Sequence, residues 1–170
     1  MEDALLIIDM LNDFVHPRGA LYIPGAEKII PNVKRELDRA HQSGIPVIYV
    51  NDAHQPNDPE FKVWPKHAVE GTWGAQVVDE LKPQPNDIIV YKISYSGFYG
   101  TNLHNILREL AISRLRVTGV ATSICVLYTA VDALMRGYEV EVIPDAVAGL
   151  TPEDHKFALR QLTEVLKPRR

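Results

Sequence analysis

Five short, mainly apolar runs, each bounded by turn-forming residues, dominate the hydrophobic pattern of the chain. They are rich in valine and isoleucine and nearly continuous in apolar character, which is typical of strands buried on both faces of a parallel sheet. They read ALLIID, PVIYVND, DIIVYK, RLRVTGV and EVEVIPD, at residues 4–9, 46–52, 87–92, 114–120 and 139–145.

Helical periodicity fills most of the segments between these runs. In the segment that starts at Asn32, Val33, Leu37 and Ala40 share one face and Gly44 marks the end. Four more helices are predicted for TWGAQVVDEL (72–81, capped by Thr72), TNLHNILREL (101–110), CVLYTAVDALMRGY (125–138) and TPEDHKFALRQL (151–162, capped by Thr151). Alternating strands and helices predict an α/β fold with right-handed crossovers. A sixth, short edge strand after Leu162 stays open.

Composition and charge indicate the number of domains, the kinds of partner and the cellular compartment to expect. A chain of 170 residues is long enough for one domain with a substantial core, and its net charge of -4 gives no reason to expect nucleic acid or an anionic membrane as partner. No apolar run approaches the roughly 20 residues of a membrane span, and MEDALLIIDM lacks the features of a signal peptide. The single cysteine cannot form an internal disulfide. We therefore expect a cytoplasmic protein.

Reactive side chains follow four of the five predicted strands. The first strand ends in Asp9, the second in Asp52 with His54 two residues on, and the third in Lys92, while Cys125 follows the fourth. In an open parallel sheet, ligands bind beyond the carboxyl ends of the strands. Any one of these residues is weak evidence, but together they predict an active site at that edge.

Cys125, Asp9 and Lys92 can be combined into a nucleophilic site. A cysteine at the start of a helix gains thiolate character from the helix dipole and from a nearby lysine, and a carboxylate can take its proton. Each residue also has an ordinary explanation: Cys125 as a small core residue, Asp9 as a turn cap and Lys92 as a solvated strand end.

Asp52, His54 and His67 form a second candidate cluster. In an extended segment, Asp-x-His places both side chains on the same side, and a third ligand from the following loop would leave coordination positions for water. One carboxylate and two imidazoles suit Zn²⁺ or Fe²⁺. The alternative is that the histidines are solvated loop residues.

Six motifs together resemble the isochorismatase-like cysteine hydrolases, and among them the nicotinamidases and N-carbamoylsarcosine amidase-related members. The resemblance covers nearly the whole chain and keeps the order of the motifs. They are LLIIDMLNDF (5–14), GAL (19–21), DAH (52–54) with WPKHAVEGTWGA (64–75), YSGFYGTNL (95–103), GVATSICV (119–126) and EVIPDAVAG (141–149).

This resemblance implies a three-layer α/β/α sandwich around a central, mainly parallel sheet of five or six strands, formed by residues 1–170 as a single hydrolase domain. It implies hydrolysis of a small amide through a Cys125 thioester, with Asp9 and Lys92 as the other catalytic residues. Its metal segment maps onto Asp52, His54 and His67, which would hold a divalent ion: Zn²⁺, with Fe²⁺ or Mn²⁺ as alternatives. Family members are commonly dimers or tetramers, so a homo-oligomer is expected.

The family also has a non-proline cis peptide at the position that matches Val120–Ala121, which would aim the Ala121 and Cys125 N–H groups at an oxyanion. Phe14 and Trp64 are expected to pack against a flat substrate. The remaining predicted substrate contacts are Val120 and Ser123.

Two departures leave the substrate open. Many nicotinamidases have an acid where this chain has Ser123, and the Thr-Ser step found here resembles N-carbamoylsarcosine amidase-like members. The second departure is that the loop between His54 and Trp64 is short. The first hypothesis is a nicotinamidase-like amidase. The second is the same chemistry on an N-carbamoyl or ureido compound. The third is a non-catalytic small-molecule-binding module. Isochorismatase activity itself is not favoured, because that reaction does not need the cysteine.

Overall fold

A single five-stranded sheet forms the centre of the computed structural model, which describes residues 2–166. The strand order is β3-β2-β1-β4-β5, and every neighbouring pair is parallel. This confirms the predicted parallel sheet, with five strands among the described residues. The strands are β1 (Asp3–Ile8), β2 (Val47–Asp52), β3 (Ile88–Lys92), β4 (Arg114–Val120) and β5 (Glu139–Ala148).

Helices cover both faces of the sheet and give the three-layer sandwich. Because side chains alternate along a strand, Leu5 and Ile7 of β1 pack in the core on one face, and Leu6 and Ile8 pack in the core on the other. The helices are α1 (Asn12–Val15), α2 (Ile30–Gln42), α3 (Leu103–Glu109), α4 (Leu127–Met135) and α5 (Pro152–Arg160). Helix α2 belongs to the first core, and α3 and α4 belong to the second.

The C-terminal segment contains no sixth strand within the described residues. After α5, a π-helical turn continues from Gln161 to Val165. Residues 167–170, which were part of the open prediction of an edge strand, lie outside the described residues. No helix of residues 2–166 has the length and apolar character needed to cross a membrane.

The predicted helix over residues 72–81 is wrong. Two short 3₁₀ turns, Trp73–Ala75 and Asp79–Leu81, take its place. The backbone between them is held by tertiary bonds: the Asn12 N–H donates to the Gln76 carbonyl at 2.9 Å. A Cβ on Gly74 would lie only 1.9 Å from a carboxylate oxygen of Asp13, so this segment packs at a distance that only glycine permits. Tertiary packing outweighs the helical pattern here.

The order of the strands places a crevice at one edge of the sheet. The chain winds outward from β1 through β2 to β3, and then crosses to β4 on the other side of β1. The carboxyl ends of β1 and β4 therefore lie next to each other at the point where the winding reverses, which is where open α/β sheets bind ligands. Asp9 and Cys125 follow these two strands.

Candidate active site

Lys92 lies at the centre of a buried cluster that contains the three residues predicted to be catalytic. Its Nζ is 2.9 Å from the Asp9 carboxylate and donates to Cys125 Sγ at 3.4 Å. The same nitrogen donates to the Asp52 carboxylate at 2.5 Å and to the Ser94 carbonyl at 2.9 Å. The structure thus brings Asp9, Lys92 and Cys125 together, as the positions of the strand ends predicted.

The backbone after β1 and β4 sets this geometry. Asp9 has a left-handed backbone, with φ of 50°, and its carboxylate accepts from the Asp52 N–H at 2.8 Å. At Gly119 in β4, φ is 115°, and a Cβ would lie 2.0 Å from the Ile8 carbonyl oxygen. Glycine is needed there because β4 approaches the end of β1 so closely. The approach brings the segment that carries Cys125 beside Asp9.

Burial decides the protonation states in the cluster. Desolvation raises the pKa of Asp9 to about 6, with Asp52 adding to the effect and Lys92 opposing it. Asp9 is therefore a carboxylate at neutral pH. Burial alone would lower the pKa of Lys92, but Asp52 and Asp9 raise it well above its usual value, so the amine stays charged.

Cys125 is a thiol at rest, contrary to the expectation that its surroundings favour thiolate. Burial raises the pKa of Cys125 well above its ordinary value, and the positive charge of Lys92 offsets only part of that effect. The residue also lies inside a π-helical turn, Thr122–Val126, that precedes α4, and not at the first position of a helix. A proton acceptor beside the sulfur is therefore required for reactivity.

The peptide between Val120 and Ala121 is cis, as the resemblance implied. Both residues line the pocket above Cys125. Among residues 2–166, no carbonyl or side chain accepts a hydrogen bond from the Ala121 N–H. This N–H is a donor available to a bound molecule.

Asp52, His54 and His67 present one ligand atom each within 4.8 Å of one another, and all three side chains are buried. The Nδ1 of His67 donates to the Pro65 carbonyl at 2.6 Å, and the Nδ1 of His54 lies 3.0 Å from an Asp58 carboxylate oxygen. Because these oxygens only accept, Nδ1 carries the proton in each ring.

In each ring, Nε2 is therefore the nitrogen left to bind a ligand, and both Nε2 atoms face the same Asp52 oxygen. The Nε2 of His54 is buried without a hydrogen-bond partner among the described residues and lies 3.4 Å from an Asp52 oxygen. Histidines held at Nδ1 by carbonyl or carboxylate oxygens are the usual arrangement around bound metal. Two imidazoles and a carboxylate therefore fit a divalent cation.

Acidic groups around His54 reinforce its affinity for a cation. Burial lowers the pKa of His54, but Asp52 and Asp58 outweigh it and raise the value to about 9. The pKa of His67 is lowered by burial. Glu60 lies 3.3 Å from the Nε2 of His54, and burial raises its pKa. The proton that His54 attracts in the metal-free protein marks a position where positive charge is favoured.

Sequence reasoning missed four residues that shape the site. Asp58 holds His54, and Glu60 lines the pocket. Tyr95 accepts a hydrogen bond from Trp64 Nε1 at 3.3 Å. Asp13 accepts from the N–H groups of residues 20 and 68, which ties the turn after α1 to the loop that carries His67. The one available signal was Asp58-Pro59, a turn signature that carries no information about a ligand role.

The pocket beside Cys125 is lined mainly by apolar side chains. Of the predicted substrate contacts, Phe14, Trp64 and Val120 lie in this lining. Ser123 is half-buried and lies outside the lining, whereas the next residue, Ile124, is part of it. The lining comprises Asp9, Phe14, Leu21, Ile23, Asp52, Glu60, Trp64, His67, Tyr95, Val120, Ala121, Ile124, Cys125 and Leu150.

A parallel α/β sheet with a buried aspartate, lysine and cysteine at its switch point is the arrangement that the resemblance implied, and it places the protein among the hydrolases expected above. The chain belongs to the isochorismatase family, since the model of the isochorismatase domain matches residues 3–168. Similarity to curated relatives supports this family assignment. The uncharacterized isochorismatase family protein YaaI of Bacillus subtilis is 34% identical over 165 residues, covering 97% of this chain and 91% of that protein. A probable inactive nicotinamidase of Arabidopsis thaliana is 36% identical over 163 residues, covering 89% and 83%.

Solved structures share the fold over nearly the full chain. N-carbamoylsarcosine amidase from Thermoplasma acidophilum is 42% identical, with a TM-score of 0.87 and coverage of 94% of this chain and 92% of that one. Pyrazinamidase of Pyrococcus horikoshii, solved in complex with zinc, is 38% identical, with a TM-score of 0.91 and coverage of 95% and 94%. The relatives therefore include amidases of more than one substrate class.

Proposed function

We propose that this protein is an amidase that hydrolyses a small, uncharged, planar amide, with nicotinamide as the leading substrate, to the carboxylic acid and ammonia. The reaction passes through a thioester on Cys125. Asp9, Lys92 and Cys125 are the catalytic residues, and residues 1–170 act as one isochorismatase-like hydrolase domain. The buried cluster around Lys92 supports this assignment, because three ionisable groups in contact are costly to bury without a chemical role.

Acylation begins with transfer of the Cys125 proton to the Asp9 carboxylate. The charge of Lys92, 3.4 Å from Sγ, stabilises the thiolate as it forms. The sulfur then attacks the amide carbon, and the N–H groups of Ala121 and Cys125 donate to the carbonyl oxygen as negative charge develops on it. Asp9 returns the proton to the departing nitrogen, and the C–N bond breaks to release ammonia.

Hydrolysis of the thioester follows the same path in reverse. Asp9, again a carboxylate, takes a proton from water as the water oxygen attacks the thioester carbon. The C–S bond breaks, the sulfur regains a proton from Asp9, and the acid leaves. Lys92 keeps its proton throughout, because Asp9 and Asp52 hold its pKa well above the usual value.

Asp52, His54 and His67 are the residues that would hold a divalent metal, with zinc as the leading candidate. A bound metal would supply a Lewis-acidic site to orient a ring nitrogen or a water molecule. The support for this assignment is chemical: the Nε2 atoms of both histidines and a carboxylate converge, and the Nε2 of His54 is buried without a hydrogen-bond partner among the described residues.

The pocket lining is the observation that favours an uncharged amide. It contains the carboxyl groups of Asp9, Asp52 and Glu60, but no arginine or lysine among the described residues. The ammonium of Lys92, which lies beside this lining, is already paired with the carboxylates of Asp9 and Asp52. A substrate carboxylate would therefore lose its hydration without gaining a lysine or arginine partner from this lining. Phe14 and Trp64 instead offer aromatic surface to a flat ring.

The second candidate is an N-carbamoyl or ureido compound. It is favoured by the 42% identity to an N-carbamoylsarcosine amidase and by Ser123. Ureidoacrylate amidohydrolase RutB of Rhizobium rhizogenes, 33% identical over 178 residues, covering 89% of this chain and 72% of that protein, points the same way. A non-catalytic role has one precedent in the probable inactive relative.

Ammonia release separates these candidates. We expect turnover of nicotinamide and pyrazinamide, and a kcat/KM at least about 100-fold lower for N-carbamoylsarcosine and ureidoacrylate, because an unpaired charge in an apolar pocket costs several kcal/mol. A reversed order of kcat/KM would establish the second candidate. Failure to release ammonia from any of the four compounds in a zinc-supplemented assay would contradict the enzyme assignment.

Removing either candidate histidine ligand is expected to lower metal content. His54→Ala and His67→Ala should each reduce bound zinc at least about tenfold, measured by elemental analysis after dialysis against limiting zinc. His104→Ala is the matched control, because His104 bonds to Tyr138 and has no place in the cluster. Equal zinc in all four proteins would reject the site.

The cellular setting is also part of the proposal. A lone, buried cysteine fits a reducing cytoplasm. Large exposed apolar side chains, among them Val63, Tyr99 and Met135, fit a homo-oligomer, either a dimer or a tetramer. Light scattering on the purified protein tests the second point.

A further inference from the structure

Helix α5 contacts the turn that carries Cys125 through a partly buried hydrogen bond. The hydroxyl of Thr122 lies 2.7 Å from Nδ1 of His155. Thr122 is fully buried, and His155 is half-buried on the inner side of α5. None of the steps described above uses either side chain.

Thr122 occupies a sensitive position in the chain. It directly follows Ala121, whose N–H is the proposed oxyanion donor, and it begins the π-helical turn that contains Cys125. The N–H groups of Ile124 and Val126 both donate to the Ala121 carbonyl, at 3.0 and 3.2 Å. A shift of Thr122 therefore moves the oxyanion donor and the nucleophile together.

His155 also packs against Gly149, in the segment that precedes α5. Gly149 packs so closely that a Cβ there would lie 3.0 Å from the His155 Cβ. The residue that follows, Leu150, lines the pocket, and Thr151 caps α5 by accepting from the Asp154 N–H. Burial lowers the pKa of His155, so the ring is neutral at pH 7 and its Nδ1 can accept a hydrogen bond from the Thr122 hydroxyl. The Thr122–His155 bond thus joins two walls of the pocket.

We propose that His155 is a positioning residue for amide hydrolysis: through Thr122 it holds the Ala121–Cys125 segment in the geometry that oxyanion stabilisation requires. This role rests on the proposed amidase function. His155 touches no reacting atom, and its contribution is to kcat, because donors must meet the oxygen as charge develops and not in the ground state.

Two substitutions remove the bond with little change of shape. His155→Phe keeps a ring, and Thr122→Val keeps the branched side chain. Each is expected to lower kcat for nicotinamide about 10- to 100-fold with KM changed less than about threefold, since small displacements of catalytic groups cost that much. His155→Asn, which puts an amide group near the position of Nδ1, should restore most of the loss. The double variant His155→Phe/Thr122→Val should be no slower than either single variant.

His104→Phe is the matched control, because the Nδ1 of His104 also bonds to a hydroxyl, that of Tyr138, at 2.8 Å. It should keep wild-type kcat. Melting temperatures of all variants identify any loss that follows from unfolding. A folded His155→Phe variant with wild-type kcat, or multiplicative losses in the double variant, would overturn the role.

The reaction of Cys125 with iodoacetamide gives a readout that does not depend on the substrate. Cys125 is the only cysteine, so alkylation reports this site alone. We expect the alkylation rate of His155→Phe to differ at least about threefold from wild type and that of His104→Phe to match it. Equal rates in all three proteins would overturn the positioning role, whereas absence of amide turnover in wild type would count against the proposed function only.

Discussion

Changing Cys125 to alanine is expected to lower kcat for amide hydrolysis by at least about 1000-fold. The variant has no atom that can form the thioester, so only binding and oxyanion stabilisation remain. The protein should stay folded, because removing one buried sulfur leaves a small cavity that costs about 1 to 2 kcal/mol of unfolding free energy. Steady-state ammonia release and thermal melting measure the two effects.

Asp9→Asn and the double variant Asp9→Asn/Cys125→Ala complete this test. When two residues act in one proton transfer, the effects of their substitutions on kcat are not additive, so the double variant should be about as slow as Cys125→Ala alone. Thr129→Ser, a similarly small change in the adjoining helix α4, serves as the control and should keep wild-type kcat. Wild-type turnover by a folded Cys125→Ala protein would exclude the thioester route.

Lys92→Met is expected to lower the free energy of unfolding by about 3 to 5 kcal/mol at pH 7. Lys92 is 1% exposed and is the cation that both Asp9 and Asp52 contact. Without it, two carboxylates stay buried with no opposite charge from a lysine beside them. Urea denaturation in the presence of a chelator measures the loss without interference from metal. Lys82→Met is the matched control, since Lys82 is exposed and its pair with Asp79 contributes little.

The loss should shrink as the pH falls. In Lys92→Met, the charge that opposes the rise is lost, so burial and repulsion from Asp52 hold the folded-state pKa of Asp9 still further above that of the unfolded chain. A group with a raised folded-state pKa favours folding below its unfolded pKa, and that contribution disappears as the pH rises through the folded value. The difference from wild type is therefore smaller at pH 4 than at pH 7. A constant difference across this range would show that the lost contact is not electrostatic.

The edge of the sheet that carries the cluster could be predicted from sequence because parallel strands share a direction. Once β1, β2 and β3 are recognised as buried strands, their carboxyl ends must meet at one edge of the sheet. Asp9, Asp52 and Lys92 lie at those ends, so they are expected to lie close together. The alternation of strands and helices fixed the fold class for the same reason. These features depend on local patterns and on the geometry of a parallel sheet.

Other features depend on tertiary contacts that no local pattern contains. The segment 72–81 has a helical pattern, yet the close packing of Gly74 on Asp13 holds it in 3₁₀ turns. The raised pKa of Cys125 comes from the depth of its burial, which the position of the residue in the sequence does not give. The contact between Thr122 and His155 joins residues that are 33 positions apart.

The thioester on Cys125 is the central claim, and peptide mapping after rapid acid quench during nicotinamide turnover tests it most directly. We expect the peptide that contains Cys125 to carry a nicotinoyl group in wild type, and the corresponding peptide to be unmodified in Cys125→Ala, which releases no ammonia above background. A nicotinoyl group on another residue, or ammonia release from Cys125→Ala at the wild-type rate, would contradict the account.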